Sequence, residues 1–188
     1  MPVRKSSRKP FTPPTGAFWV FAYGSLMWHA DFPFAERRPA MLYGYHRALC
    51  VYSWVYRGTQ QCPGLVFGLD RGGAVSGVAY RIAGRHGKAV YQQLHEREMV
   101  TDVYCPRWLK LRLGGGKTET VTGLAFVANE ANKQYAGKLS DEAQRRLIQA
   151  GHGKAGPCTD YVLNTADHLA ECGIRDRALE RLAKRLRA

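Results

Sequence analysis

The stretch Phe18-Trp19-Val20-Phe21-Ala22-Tyr23-Gly24-Ser25-Leu26-Met27-Trp28 joins a hydrophobic segment to a glycine-containing turn. The apolar and aromatic residues that open it are strand formers, which predicts a buried strand over 18–23. Gly24 interrupts the pattern, because a residue without Cβ permits a sharp turn or the close approach of a ligand. Backbone N–H groups and two hydroxyls then meet at one edge of a core and could cradle a small anionic or carbonyl-bearing molecule. An ordinary strand-to-turn junction is the alternative.

Several ordered motifs resemble one protein family. Tyr23-Gly24-Ser25-Leu26 after an aromatic strand is similar to the signature of the gamma-glutamylcyclotransferase superfamily, and the flanking tryptophans resemble its ChaC branch, the glutathione-specific enzymes. Further matching segments follow along the chain: Gly44-Tyr45-His46-Arg47, Pro63-Gly64-Leu65-Val66, Gly77-Val78-Ala79-Tyr80-Arg81, Arg97-Glu98-Met99 and Tyr104-Cys105-Pro106-Arg107-Trp108. The family usually has glycine where this chain has Ala22, so we expect the extra methyl group to crowd the pocket.

The resemblance implies a fold, a reaction and a site. It implies a small mixed β-barrel flanked by helices, and cyclisation of the gamma-glutamyl part of glutathione to 5-oxoproline with release of Cys-Gly. It places the catalytic glutamate on Glu98 and suggests that Tyr161 closes the substrate pocket. No metal or organic cofactor is required for this reaction. The remaining substrate-binding residues are predicted along the first strand and its turn: Val20, Phe21, Ala22, Tyr23, Gly24, Ser25 and Leu26.

Helical periodicity independently directs Glu98 toward the interior. A helix is predicted from about 86 to 99, and at about 100° per residue its apolar face is formed by Val90, Tyr91 and Leu94. Glu98 lies within that face. A carboxylate aimed at a core is costly unless it is paired or functional, and burial raises its pKa and makes it a stronger base.

The structural alternative for Glu98 is a buried ion pair with Arg47, Arg81 or Arg107. Glu96, on nearly the opposite side of the helix, is expected to face water. The sequence therefore offers one carboxylate for catalysis and a neighbouring carboxylate as its control.

A gamma-glutamyl amide carries its own nucleophile, the α-amino group, and intramolecular attack has a large entropic advantage. What the reaction needs is a base to remove the amine proton and donors to stabilise the oxyanion. An acyl-enzyme on Ser25 is the rival mechanism, but Ser25 lacks a G-x-S-x-G elbow and no histidine–acid pair can be assigned to it. His95 is expected at the surface or partly buried.

Composition narrows the class of protein. The 188 residues suffice for one core, no apolar run approaches the ~20 residues of a membrane span, and the net charge is +13. Nucleic-acid binding is the other function that such a charge suggests, but the basic residues are dispersed and no nucleic-acid motif accompanies them. A basic surface would also attract an anionic small substrate such as glutathione.

Five unevenly spaced cysteines without C-x-x-C argue against a zinc site or a disulfide scaffold and suit a reducing cytoplasm. Residues 1–16 are predicted to be a disordered basic tail rather than a secretory signal, and residues 17–188 a single catalytic domain. The sequence does not indicate the oligomeric state. A cyclotransferase for other gamma-glutamyl amino acids or amines is the alternative within the enzyme class.

The chain is strand-rich first and helical last, which predicts an α+β fold rather than a doubly wound one. Glycine-rich turns are expected at 71–73 and 114–116. Strands are predicted at 18–23, 42–52, 64–69, 74–82, 108–113 and 120–128. Helices are predicted at about 86–99, 141–150, 159–171 and 174–187.

Overall fold

A computed structural model describes residues 15–99 and 101–188, and it contains a closed five-stranded barrel. The strands are β1 (Phe18–Ala22), β2 (Glu36–Ser53), β3 (Gly64–Ile82), β4 (Tyr104–Leu113) and β5 (Glu119–Ala128). They are arranged in the order β1-β3-β2-β4-β5, and the barrel closes where β5 pairs with β1. That closing pair is parallel, whereas the other neighbours are antiparallel, so the predicted mixed barrel is confirmed.

Four helices of the described residues pack against the barrel; the first lies between β3 and β4 in the chain, and the other three follow β5. They are α1 (Gly84–Glu98), α2 (Asp141–Ala150), α3 (Cys158–Glu171) and α4 (Arg177–Arg187), and a short 3-10 turn spans Ser25–Met27. Two-residue strands β6 (His152–Gly153) and β7 (Gly156–Pro157) form a separate small hairpin. The α+β class is therefore confirmed. Within the described residues, no helix has the length and apolar character needed to cross a lipid bilayer.

β1 is buried along its whole length because both of its faces are covered. Trp19 and Phe21 belong to a cluster made up of strand side chains, whereas Phe18, Val20 and Ala22 belong to a cluster shared with the helices. Alternate residues of a strand point to opposite faces, so one set fills the barrel and the other packs beneath the helices. A strand with two covered faces shows the continuous apolar run seen in the sequence.

The predicted break between strands at 71–73 is wrong, because β3 runs continuously from Gly64 to Ile82. Gly72 and Gly73 have positive φ and form a bulge opposite β2, where the pairing register shifts beyond Tyr43. A bulge and a turn both need glycines in left-handed backbone. Adjacent glycines in a sequence therefore do not distinguish a turn from a bulge. The glycine turn at 114–116 does connect two strands.

Helix boundaries agree closely with expectation. Ser140 caps α2 by accepting a hydrogen bond from the N–H of Ala143, at 3.3 Å. Residues 1–14, which make up most of the predicted basic tail, lie outside the described residues, and the division into a tail and a domain stays a prediction. Thr15 and Gly16 are exposed, and the barrel begins at Phe18.

Candidate active site

A small pocket opens at the end of the barrel where β1 gives way to the Ser25–Met27 turn. Its volume is about 50 Å³. The pocket is contributed by β1 and its turn, by three other strands and by two helices. Its lining residues are Phe21, Tyr23, Gly24, Ser25, Leu26, Phe67, Glu98, Tyr104, Phe126 and Tyr161.

A larger cavity of about 420 Å³ adjoins this pocket. The two spaces share four lining residues: Ser25, Glu98, Tyr104 and Tyr161. A molecule that filled both spaces would therefore pass between these four side chains. Any chemistry at the middle of that molecule would take place beside Glu98.

Glu98 is the last residue of α1, and its side chain is 17% exposed. Val90, Tyr91 and Leu94 of the same helix are buried, as the helical periodicity predicts. Burial raises the pKa of Glu98 above its ordinary value, and the Arg97 guanidinium partly opposes that rise. The neighbouring Glu96 is exposed. Glu98 is therefore a carboxylate whose affinity for a proton is increased.

Arg97 joins the helix end to the turn after β1. Its Nε lies 3.4 Å from Glu98 Oε1, and its Nη2 donates to Ser25 Oγ at 3.1 Å. Its Nη1 donates to the carbonyl oxygen of His29, also at 3.1 Å. One guanidinium thus contacts both the carboxylate and the turn that faces it. The buried ion pair with Arg47 considered for Glu98 is wrong, since Arg47 pairs with Asp176 at 3.0 Å.

The turn presents backbone donors to the pocket. Within the described residues, the N–H groups of Gly24, Ser25 and Leu26 make no backbone hydrogen bond, as expected for the start of a helical turn. Apart from Gly24 and its two chain neighbours, no atom of the residues that the structure describes lies within 4 Å of the position that a Cβ on Gly24 would occupy. Gly24 therefore leaves open space beside unpaired amides, which is a suitable arrangement for an oxyanion or a carboxylate.

Three tyrosines surround Glu98, and each hydroxyl group has a backbone partner. Tyr23 donates to the carbonyl oxygen of Phe126 at 3.2 Å, and Tyr104 donates to that of Phe67 at 2.7 Å. Tyr161 instead accepts a hydrogen bond from the N–H of Phe67 at 3.2 Å. Burial raises the pKa of all three phenols, so they stay protonated near neutral pH.

The structure brings together most of the residues that the sequence proposes for the site. Phe21, Tyr23, Gly24, Ser25, Leu26, Glu98 and Tyr161 line the small pocket. Val20 and Ala22 are fully buried in the core shared with the helices, and they are not among the residues that line the pocket. The methyl group of Ala22 accordingly packs in the core. His95 is exposed.

Sequence reasoning missed three lining residues, which are Phe67, Tyr104 and Phe126. Tyr104 begins one of the motifs that carry the family resemblance, and that motif was the available signal. The two phenylalanines lie in apolar strands, and the sequence of those strands predicts burial in the core but no contact with a ligand. Within residues 15–99 and 101–188, no three His, Cys, Asp or Glu side chains are grouped so that they could hold a metal ion.

Known proteins match this chain over most of its length. The family model described as ChaC-like protein matches residues 18–188. Glutathione-specific gamma-glutamylcyclotransferase of Escherichia coli strain K12 is 34% identical over 170 residues, which cover 90% of this chain and 73% of the bacterial protein. Glutathione-specific gamma-glutamylcyclotransferase 1 of Homo sapiens is 30% identical over 190 residues, covering 91% of this chain and 86% of the human protein.

A solved structure supports the fold. The crystal structure of a yeast gamma-glutamyl cyclotransferase specific to glutathione superposes with a TM-score of 0.83 at 19% sequence identity. The superposition covers 92% of this chain and 96% of the yeast chain. At that level of identity the likeness bears on the architecture alone.

Proposed function

This chain belongs to the ChaC-like family, and we propose that it is a glutathione-specific gamma-glutamylcyclotransferase that releases 5-oxoproline and Cys-Gly. The observation that carries the proposal is Glu98, a carboxylate of raised pKa at the junction of a small pocket and a larger cavity. Glutathione has a glutamyl part and a Cys-Gly part, and the bond to be cleaved lies between them. The small pocket takes the glutamyl part, and the larger cavity takes Cys-Gly.

Glu98 acts as the base. It removes a proton from the α-ammonium group of the substrate, and the free amine attacks the γ-carbonyl carbon to form a five-membered ring. The carbonyl oxygen becomes an anion in the tetrahedral intermediate. The bond to the cysteine nitrogen then breaks as Glu98 delivers this proton to that nitrogen. The ring nitrogen still carries a second proton, which passes by way of the regenerated Glu98 carboxylate to the released amine. The lactam nitrogen of 5-oxoproline therefore ends with one proton, and Cys-Gly leaves with an ammonium group.

The Ser25–Met27 turn supplies electrostatic stabilisation. The N–H groups of Gly24, Ser25 and Leu26, which have no backbone acceptor among residues 15–99 and 101–188, are donors for the oxyanion or for the α-carboxylate of the glutamyl part. Ser25 itself is not assigned as a nucleophile, because its Oγ accepts a hydrogen bond from the Arg97 guanidinium. An adjacent cation does not remove a hydroxyl proton, which a serine nucleophile requires.

Two guanidinium groups favour the binding of a substrate whose leaving group carries a negative charge. Arg57 and Arg97 both line the larger cavity. Cys-Gly ends in a carboxylate, and arginine binds carboxylates with paired hydrogen bonds. A gamma-glutamyl amine without a terminal carboxylate would not use these cations, so the cavity favours glutathione and other carboxylate-ending gamma-glutamyl compounds over gamma-glutamyl amines.

We further propose a cytoplasmic location on the chemistry of the cysteines. All five are free thiols, and Cys62 and Cys172 are exposed. A reducing compartment preserves such thiols. Nucleic-acid binding remains the other class, and titration with DNA across a salt series tests it.

The proposal is tested by incubating the protein with glutathione and measuring 5-oxoproline. Glu98→Gln keeps the shape of the side chain and removes its basicity, so kcat is expected to fall by about 10²–10⁴-fold. Glu96→Gln is the matched control on the exposed side of the same helix, and it is expected to change kcat little. Equal effects of the two substitutions, or no 5-oxoproline from the unmodified protein, would refute the assignment.

A further inference from the structure

The three phenols around Glu98 differ in how their protons are used. The hydroxyl protons of Tyr23 and Tyr104 are both committed to backbone carbonyl oxygens, those of Phe126 and Phe67. The Tyr161 oxygen accepts its hydrogen bond from the Phe67 N–H, and among the described residues no acceptor takes the Tyr161 proton. A phenol has a single proton to donate. Tyr161 therefore retains a donor that no described residue uses.

That donor lies where the reaction would occur. Tyr161 is one of the four residues shared by the small pocket and the larger cavity. The scissile amide of glutathione joins the parts that fill these two spaces, so its carbonyl group lies at the same junction. The Tyr161 proton is consequently available to the substrate rather than to bulk water.

The Tyr161 ring is held in place from several directions. The Arg57 guanidinium lies 5.4 Å from the ring centroid, and the Phe67 ring lies 5.8 Å away. The Phe67 N–H fixes the hydroxyl oxygen and draws electron density from it, which strengthens the remaining O–H donor. A donor that is already oriented costs little reorganisation when charge develops on a neighbouring atom.

We propose that the Tyr161 hydroxyl donates a hydrogen bond to the γ-carbonyl oxygen of the substrate and tightens that bond as the oxygen becomes an anion. The hydrogen bond forms and relaxes without proton transfer, and the amine proton still travels by way of Glu98. Tyr161 is therefore a catalytic residue, acting together with the backbone amides of the turn. This assignment rests on the proposed cyclotransferase function.

Burial supports a donor role over an acid or base role. It raises the pKa of Tyr161, so the phenol neither ionises to become a base nor surrenders its proton readily. A neutral donor beside a developing negative charge is the combination found in oxyanion holes. The pH dependence of kcat is accordingly expected to keep its shape when Tyr161 is replaced.

The test compares Tyr161→Phe with Tyr104→Phe, because both remove one hydroxyl from the same cavity wall. Tyr161→Phe is expected to lower kcat about 10²–10³-fold, with KM within about threefold of the unmodified value. Each substitution removes one hydrogen bond to the Phe67 backbone, so both are expected to lower the melting temperature, whereas Tyr104→Phe is expected to lower kcat less.

A second variant keeps the test decisive even if Tyr161→Phe does not fold. Tyr161 replaced by 4-aminophenylalanine keeps the ring and an N–H donor, and it is expected to recover at least about tenfold of the kcat lost in Tyr161→Phe. If Tyr161→Phe does not fold, the 4-aminophenylalanine variant alone decides: kcat within about tenfold of the unmodified enzyme supports the inference, and a loss beyond about 10²-fold overturns it.

Several outcomes would overturn the inference about Tyr161 and leave the proposed function standing. These are retention of kcat in Tyr161→Phe, equal losses in Tyr161→Phe and Tyr104→Phe, or a folded 4-aminophenylalanine variant with no recovery. A different result would refute the proposed function: the unmodified protein would make no 5-oxoproline from glutathione.

Discussion

Glu98 is subject to two opposing influences that set its strength as a base. Burial at the cavity junction raises the pKa of its carboxyl, and the positive charge of Arg97, 3.4 Å away, lowers it. The net result is a raised pKa, so desolvation is the larger effect. A carboxylate of ordinary pKa would remove a proton from an ammonium group less readily.

The pH dependence of kcat should reveal both influences. Glu98 acts only when ionised, so kcat is expected to fall with decreasing pH through a midpoint above the ordinary 4.5 of glutamate. Arg97→Gln removes the charge that favours ionisation, so the acid limb should move to still higher pH. Tyr23, Tyr104 and Tyr161 also face Glu98, but their raised pKa values keep them neutral over this range.

Measurement of kcat from about pH 4 to about pH 8 tests this expectation, with Arg97→Lys as the control that keeps the charge. Arg97→Lys should leave the acid limb nearer to that of the unmodified enzyme. Arg97 also binds the turn through Ser25 and the His29 carbonyl. A fall in kcat at every pH without movement of the limb would mean that Arg97 only holds the turn.

The sequence predicts the inward direction of Glu98 and most of the residues that line the small pocket, but not Phe67 or Phe126. Helical phase places the carboxylate toward the interior because that phase depends only on residues of the same helix. Phe67 and Phe126 join the pocket through the barrel register, in which residues far apart in sequence become neighbours. Periodicity contains no information about that register, so their place beside Glu98 could not be predicted.

The Ser25–Met27 turn and strand β1 form one continuous element of the site. Gly24 lies between strand and turn, with φ −142° and ψ −135°. Its lack of a side chain leaves open space beside the pocket. A side chain at this position would occupy the pocket rather than collide with the protein.

We expect Gly24→Val to lower kcat/KM about 10²-fold, because the branched side chain displaces the substrate from its reacting position. Ser25→Ala removes one hydrogen bond with Arg97 and is expected to cost about tenfold or less. Steady-state kinetics with glutathione, accompanied by thermal melts, compares the two variants. An inactive, folded Ser25→Ala enzyme, together with a covalent adduct on Ser25 in the native enzyme, would restore the acyl-enzyme mechanism.

Strand β3 shows the limit of reading elements from sequence. Its predicted division at 71–73 rests on adjacent glycines, and these glycines do adopt left-handed backbone. Hydrogen bonding to β2 on both sides of the bulge keeps the strand continuous. Whether such glycines end a strand or bulge within it depends on the partner strand, which local sequence does not describe.

The C-terminal helix is connected to the active site through a buried charge. The Arg47 side chain is 3% exposed, and it donates to Asp176 Oδ2 at 3.0 Å and to the Tyr23 carbonyl oxygen at 2.6 Å. Asp176 also caps α4 by accepting from the N–H of Leu179. One ion pair therefore joins the last helix to the end of β1.

Asp176→Asn is expected to destabilise the protein by about 3 kcal/mol, because it leaves the Arg47 guanidinium buried without its counter-charge. The expected fall in melting temperature is about 6–12 °C for a chain of this size. Asparagine still caps a helix, so the effect isolates the charge. Asp167→Ala, which breaks an exposed pair with Arg187, should cost less than about 1 kcal/mol. Equal melting temperatures for the two variants would contradict the buried-charge account.

Closure of the barrel by β1 and β5 has a consequence for biosynthesis. Trp19 pairs with Gly123, so the partner of the first strand is translated about 100 residues later. At about 5–20 residues per second, the nascent chain holds β1 with one open edge for several seconds. During that interval the backbone edge of β1 is unpaired, and the apolar side chains that the finished fold buries are accessible to chaperones or to other nascent chains. The segment that forms the catalytic turn is thus made early on the ribosome and fixed late.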